Sequence, residues 1–319
     1  MNCKRNPICP EAPVKLITRY STEVISRLYS QQAGIDVRPY MSGTSFVELY
    51  ECSVTGYRFY YPFELAGPGE FYSIIQEVQG KSGVDYYRGW SYDNEFAVKC
   101  IKPGDNILEI GCGTGKFFEG IKQISDSYTG LELNKEAVRI AKEKGINVIH
   151  ELVEEHSKSH FEGYDFVCAF QVLEHVSDVK SFIDSSLACL KPGGHLVIGV
   201  PNNEPYFQRF NKYETFNLPP HHMGLWNLKV FRSLEKFFPV KLIDFIHDPI
   251  NERIVVDAYL RAKLWTGVKS LPRRHSFGDK LKMLGLAPIT LPLSFIRRYI
   301  KGINGAYIAV AFEKNCLEK

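Results

Sequence analysis

The sequence predicts an α/β fold built on a doubly wound parallel sheet, and three observations carry that prediction. Five short apolar runs, residues 106–111, 126–133, 146–151, 164–170 and 193–200, alternate with helical patterns at roughly 20-to-30-residue spacing. The first run leads straight into a glycine loop, Gly111-Cys112-Gly113-Thr114-Gly115, and a helical pattern opens after it at Lys116-Phe117-Phe118. Finally, 319 residues with 45% hydrophobic and 24% charged content suffice for one large domain with appendages, and exclude disordered, collagen-like and coiled-coil classes.

Taken in chain order, Ile17, Tyr20, Val24, Ile25, Leu28 and Tyr29 recur at helical spacing, which predicts a helix over residues 14–33 stopped by Gly34. Residues 47–62 alternate on both sides of Thr55-Gly56 and predict a β-hairpin ended by Pro62. Fourteen aromatics fall within residues 40–92, about twice the chain average, and most suit core packing. The texture changes after Pro103-Gly104. A boundary near residue 100 follows, with an aromatic-rich extension over 1–100 and the α/β domain over 101–319. Cys52-Ser53-Val54-Thr55-Gly56 has Thr55 where a C-x-x-C-G zinc knuckle needs its second cysteine, so no zinc is expected there.

The eight cysteines include no C-x-x-C pair, which reads as reduced thiols of an intracellular protein. No apolar run nears the roughly 18 residues of a membrane span, and the first residues lack the apolar core of a signal peptide. A cytoplasmic location is expected. The net charge of +3 hides an asymmetry, because residues 253–302 carry +9 and the remainder −6. That stretch fits an anionic partner or, more plainly, a solvated basic face.

The glycine loop carries the chemistry. Glycines serve where a backbone turns tightly and lets a ligand lie against it. Lys116 stands where a dinucleotide fingerprint needs a third glycine or alanine, and no Gly-Lys-Ser/Thr ending makes a phosphate loop. Seventeen residues after Gly115, Glu132 ends the predicted second strand, where an acid can accept hydrogen bonds from both hydroxyls of a ribose.

Together these residues resemble motif I and the following acidic motif of class I S-adenosylmethionine-dependent methyltransferases. The resemblance continues through residues 164–176, similar to the family's fourth strand and the turn after it, and through 190–198, similar to the turn into its fifth strand. It implies a Rossmann-like, seven-stranded sheet whose last strand, residues 306–312, is antiparallel at the edge. The implied cofactor is S-adenosyl-L-methionine. Glu109, Gly111, Gly113 and Gly115 are assigned to the loop and Glu132 to the ribose, with Cys112, Leu133 and Gln171 also beside the cofactor. Glu151 and Leu152 are the nearest matches to the family's adenine-binding position. Tyr86, Tyr87 and Trp90 resemble a Y-Y-x-x-W lead-in placed over the cofactor.

A sulfonium is already a strong methyl donor, so the protein's task is alignment, plus removal of the acceptor's proton where needed. Three histidines are candidates: His175, His221 and His222. Residues 171–175 resemble the E-x-x-E-H turn of ubiquinone-pathway O-methyltransferases and small-RNA 2′-O-methyltransferases, which holds a divalent metal. Here Gln171 replaces the first acid, and an amide is the poorer ligand, so no metal is expected. Residues 217–226, with Pro219-Pro220 ahead of His221-His222 and with Trp226, suit an acceptor-pocket wall, or helix caps and a core tryptophan. They resemble a P-P-H-H-x-x-x-W stretch in methyltransferases of bacterial surface-glycan clusters.

The expected activity is therefore O-methylation of a sugar or glycan-linked small molecule. Alternatives are a quinone- or catechol-type O-methyltransferase, an RNA 2′-O-methyltransferase (although no RNA-binding module is recognisable), and a non-enzymatic cofactor-binding scaffold. Within 253–302, apolar positions around Trp265 are interleaved with Lys and Arg, which suits peripheral association with an anionic membrane at the inner face, or packing on the sheet or a dimer contact.

Overall fold

The computed structural model describes residues 5–81, 89–204, 215–249 and 305–316, and in it the chain opens with strand rather than helix. Strand β1 (Val14–Ser21) pairs antiparallel with β2 (Phe46–Cys52), and α1 occupies only Thr22–Ala33. The helix expected over 14–33 is thus corrected in its first half. Leu16 and Ile17 are 39% and 44% exposed on this edge strand, so apolar residues on both faces imitated a helical repeat. In the second half the reading holds: Ile25, Leu28 and Tyr29 are buried, and Gly34 ends the helix at φ 70°.

The hairpin forms as expected. Strands β2 and β3 (Arg58–Tyr61) pair antiparallel and Pro62 follows β3 directly. A two-residue strand from far along the chain, β9 (Gly224–Leu225), adds to β3, completing a four-stranded sheet in the order β1-β2-β3-β9.

The main sheet comprises β4 (Ile107–Ile110), β5 (Tyr128–Leu131), β6 (Val148–Ile149), β7 (Tyr164–Phe170), β8 (Leu190–Pro201), β10 (Val240–His247) and β11 (Tyr307–Lys314). Their order is β10-β11-β8-β7-β4-β5-β6, with β11 antiparallel to both neighbours and the pairs from β8 to β6 parallel. The last strand is antiparallel, as expected, but it is not at the edge. Ile308, Ala309, Val310, Ala311 and Phe312 are all buried, which requires cover on both faces and a neighbour on both sides, while β10 exposes Ile243 and Phe245 and takes the edge.

Helix α2 (Gly69–Lys81) packs with α1 and the four-stranded sheet, while the helices around the main sheet include α3 (Tyr92–Val98), α4 (Lys116–Ile121), α5 (Lys135–Glu143), α6 (Val153–His156), α7 (Val179–Cys189) and α8 (Leu228–Ser233). The chain runs from β4 outward through β5 to β6, then returns to β7 and β8 on the other side of β4. The strand order reverses there, and in such sheets ligands bind beyond the carboxyl ends of the strands at that reversal, here β4 and β7. Among the described residues no helix is long and apolar enough to cross a membrane. The basic segment 253–302, Tyr86 and Tyr87 lie outside the described residues.

Candidate active site

Beyond β4 the loop places Gly111, Gly113 and Gly115 at φ 73°, 54° and 79°, a left-handed backbone that only glycine adopts without strain. Space is short as well: a Cβ on Gly111 would lie 2.4 Å from Cγ2 of Val172. The loop is tied to β5 through its own main chain. Gly111 and Cys112 N–H donate to the Leu131 carbonyl at 2.7 and 3.0 Å, and Gly113 N–H donates to Glu132 Oε2 at 2.8 Å. Glu132 Oε1 accepts from Asn134 N–H at 2.7 Å. Burial raises the Glu132 carboxyl, and the N–H groups of Asn134, Gly113 and Leu133 pull it back. A carboxylate has about four acceptor positions, so capacity for a ligand hydroxyl remains.

The other expected cofactor residues surround this cradle unequally. Cys112 turns its thiol into the core against Gly130, so only its main chain faces the loop. Leu133 is 46% exposed at the rim. Gln171 follows β7 at φ 57°, with its N–H on the Gly199 carbonyl and its buried Nε2 without an acceptor among the described residues. A left-handed glutamine is costly and marks a position the surroundings enforce. The glycine cradle, the acceptor capacity of Glu132 and this orphaned donor together fit S-adenosyl-L-methionine. Glu151 Oε2 faces the Nδ1 of His156 at 3.0 Å, and Leu152 is 50% exposed beside α6. Trp90 stacks on Phe117 of α4 at 6.0 Å and stays 46% exposed.

Glu109 lies beneath the loop, 5% exposed, accepting a 2.5 Å hydrogen bond from Tyr128. Burial pushes its carboxyl up to about 8; the Tyr128 bond opposes this, and Glu132 and Asp93 add to it. An acid raised in the folded state is not penalised below its unfolded value near 4.5, and the penalty grows until pH passes about 8. Glu109→Gln should therefore match the wild type in melting temperature at pH 5 and exceed it by about 3 °C or more at pH 8.5 without cofactor. An equal difference at both pH values, by calorimetry, would refute this.

The turn after β7 also carries His175, and the segment after β8 brings His221 and His222 to it. Met223 and Gly224 N–H both donate to the Glu174 carbonyl, at 2.8 and 3.0 Å, docking one segment on the other. The ring centroids are 4.7 Å apart for His175 and His221, 5.0 Å for His175 and His222, and 4.5 Å for His221 and His222. Tyr72 of α2 packs on His175 at 5.1 Å, and Tyr29 of α1 donates to the Leu218 carbonyl at 2.8 Å. The N-terminal segment and the chain after β8 thus build this corner jointly.

His175 Nδ1 faces the His221 carbonyl at 2.5 Å and His221 Nδ1 faces that of Phe216 at 2.8 Å. Carbonyls only accept, so each Nδ1 carries the proton, which leaves the His221 Nε2 with its lone pair. Burial depresses all three: His175 to about 4, and His221 and His222 well below the usual histidine range with their histidine neighbours adding to it. They are uncharged at neutral pH. Their ring nitrogens lie within 4.8 Å of one another, a grouping that could hold a metal ion. However, His221 and His222 stack with planes 19° apart. A metal sits in the plane of each imidazole it binds, so near-parallel rings converge on one ion only if one of them reorients.

Trp226, open between an acceptor wall and the core, takes the core: it is fully buried, stacked on Phe231 and 4.7 Å from Tyr57. Its bulk anchors β9 to the core. The sequence reading missed Asn203 and Asn217, which are linked to His222; the run Pro201-Asn202-Asn203 at the end of β8 was the available signal, since polar residues there lie at the carboxyl ends of the strands.

Comparison with known proteins agrees with this geometry. Residues 88–238 match a family model described as a methyltransferase domain. Ubiquinone biosynthesis O-methyltransferases from Cronobacter sakazakii and Proteus mirabilis are 33% and 35% identical over 105 residues, 31% of this chain and 43% of each relative. The matched part is thus less than half of those relatives' length. Among solved structures, the [4+2]-cyclase SpnF shares the fold with a TM-score of 0.50 at 16% identity, over 78% of this chain and 98% of that one. By strand order, loop geometry and family match together, residues 88–238 are a class I S-adenosylmethionine-dependent methyltransferase domain, with S-adenosyl-L-methionine as its cofactor.

Proposed function

We propose that this protein methylates a hydroxyl of a sugar or glycan-linked small molecule, with a histidine of the 175/221/222 group as the base. The observation that carries the reading is the gathering of three uncharged imidazoles where the turn bearing Gln171 and His175 meets the segment bearing His221 and His222. Bound S-adenosyl-L-methionine supplies an electrophilic methyl group. The chain's part is to hold the cofactor on residues 111–115 and Glu132, with Gln171 donating at its side, and to receive the acceptor's proton on an Nε2 lone pair. Helices α1 and α2 serve as the acceptor-side cap, since Tyr29 and Tyr72 on them contact the histidine segment and His175. Incubation with nucleotide-sugars, glycolipids and quinones, followed by mass spectrometry, should reveal a product about 14 Da heavier from a sugar acceptor. In parallel, Glu132→Ala should weaken cofactor binding by about 1.5–3 kcal/mol, because charge-assisted hydrogen bonds are lost. Unchanged affinity by calorimetry would remove the ribose assignment.

A quinone- or catechol-type acceptor is the second reading, favoured by the ubiquinone-pathway relatives. A product from a catechol but from no sugar would select it.

We further propose that the protein works in the cytoplasm, where the basic stretch 253–302 holds it against the inner membrane face beside a lipid-linked acceptor. The support is its charge of +9 interleaved with apolar residues, each basic residue near an anionic surface contributing about 1 kcal/mol. The full chain should co-sediment with anionic but not neutral vesicles, and less so in high salt. Failure to pellet with anionic vesicles at low salt rules this out.

A further inference from the structure

Resting on the reading that a histidine of this group is the base, we propose that Asn217, itself oriented by Asn203, is the positioning residue that fixes His222 in the Nδ1-protonated tautomer, with Nε2 as the proton acceptor.

The argument is one of polarity. The Pro201 carbonyl can only accept, so the Asn203 side-chain atom facing it at 3.2 Å is the amide nitrogen. The Asn203 amide oxygen therefore faces Asn217, whose Nδ2 donates to it at 2.8 Å. That leaves the Asn217 oxygen toward His222 Nδ1 at 2.9 Å, and this ring nitrogen must carry the proton. Every step in the chain is set by the one before it, and the first is main chain.

Asn203 is well suited to anchor the relay. It is 3% exposed, its N–H donates to the Trp226 carbonyl at 2.7 Å, and its own carbonyl accepts from Arg58 Nη2 at 3.0 Å. It cannot turn over without losing its Pro201 bond and setting two acceptors face to face. His175 and His221 differ, because main-chain carbonyls orient them. Only His222 depends on a side chain, so its state alone can be altered by substitution. The free imidazole prefers neither role strongly, and a base in the wrong tautomer presents N–H where a lone pair is needed.

The groups facing His222 are the rings of His221 and His175, with Glu174 behind His175 and Tyr72 against both of those rings. The test uses the full chain labelled with ¹⁵N-histidine at pH 8, read by long-range ¹H–¹⁵N correlation. The wild type should show His222 with Nδ1 protonated and Nε2 unprotonated. Asn217→Ala should move His222 toward the opposite tautomer while His175 and His221 keep theirs, which also reports an intact fold. Turnover should fall about 10- to 100-fold with the KM for cofactor unchanged. Asn217→Asp, which restores an acceptor for Nδ1, should recover most of that loss and shift the acid limb of kcat to higher pH. A wild-type His222 protonated on Nε2, or an unmoved tautomer in Asn217→Ala, overturns the proposal. If the tautomer moves while His222→Gln keeps full turnover, the relay stands and the reading of the base fails.

Discussion

Gly111→Val is expected to abolish S-adenosyl-L-methionine binding, with a loss of at least about 100-fold in affinity. Two costs act together. The residue sits at φ 73°, where a β-branched side chain is a steric outlier. The added Cβ would also lie 2.4 Å from Val172 Cγ2, and that valine is too short to swing away. The N–H of Gly111 is meanwhile held at 2.7 Å from the Leu131 carbonyl, so the loop cannot yield without breaking its tie to β5. Calorimetric titration with the cofactor checks this, and near-wild-type affinity would show that residues 111–115 are not its cradle.

His222→Ala is the second large effect: kcat should fall by about 10²-fold or more while cofactor affinity is kept. The pH profile gives the sign. Burial and the neighbouring histidines hold His222 well below the usual histidine range. The base therefore stays unprotonated as pH falls through 6.5, and the acid limb of kcat lies below that value. Stability follows the same linkage. A histidine depressed in the folded state adds nothing to destabilisation above its unfolded value near 6.5, and below it the unfolded chain takes up the proton first. For His175, depressed to about 4, the loss between those limits reaches about 3 kcal/mol. Activity is expected to survive EDTA. Loss on chelation with recovery in Mg²⁺ would replace the histidine base with a metal at Glu174 and His175.

Much of this protein is legible from local pattern. The alternation of apolar runs from Asn106 to Val200 identifies the parallel sheet, because strands buried on both faces must be continuously apolar. The glycines at 111, 113 and 115 announce left-handed backbone, since no other residue adopts it cheaply. Glu132 is found by its distance from them along one strand–helix–strand unit.

What the pattern could not supply depends on contacts between segments far apart. β1 imitated a helix because an edge strand can be apolar on both faces, and only its register with β2 distinguishes the two. The place of β11 inside the sheet rests on which neighbour covers it. Trp226 was assignable to pocket or core until Tyr57 and Phe231 were found on its two sides. The histidines show the division most clearly. Their identities come from the sequence, but His175 lies 46 residues before His221. Their shared neutrality, their tautomers and the Asn203–Asn217 link arise only when the turn after β7 meets the segment after β8. Burial and hydrogen-bond polarity are properties of that meeting, and no single stretch of chain encodes them.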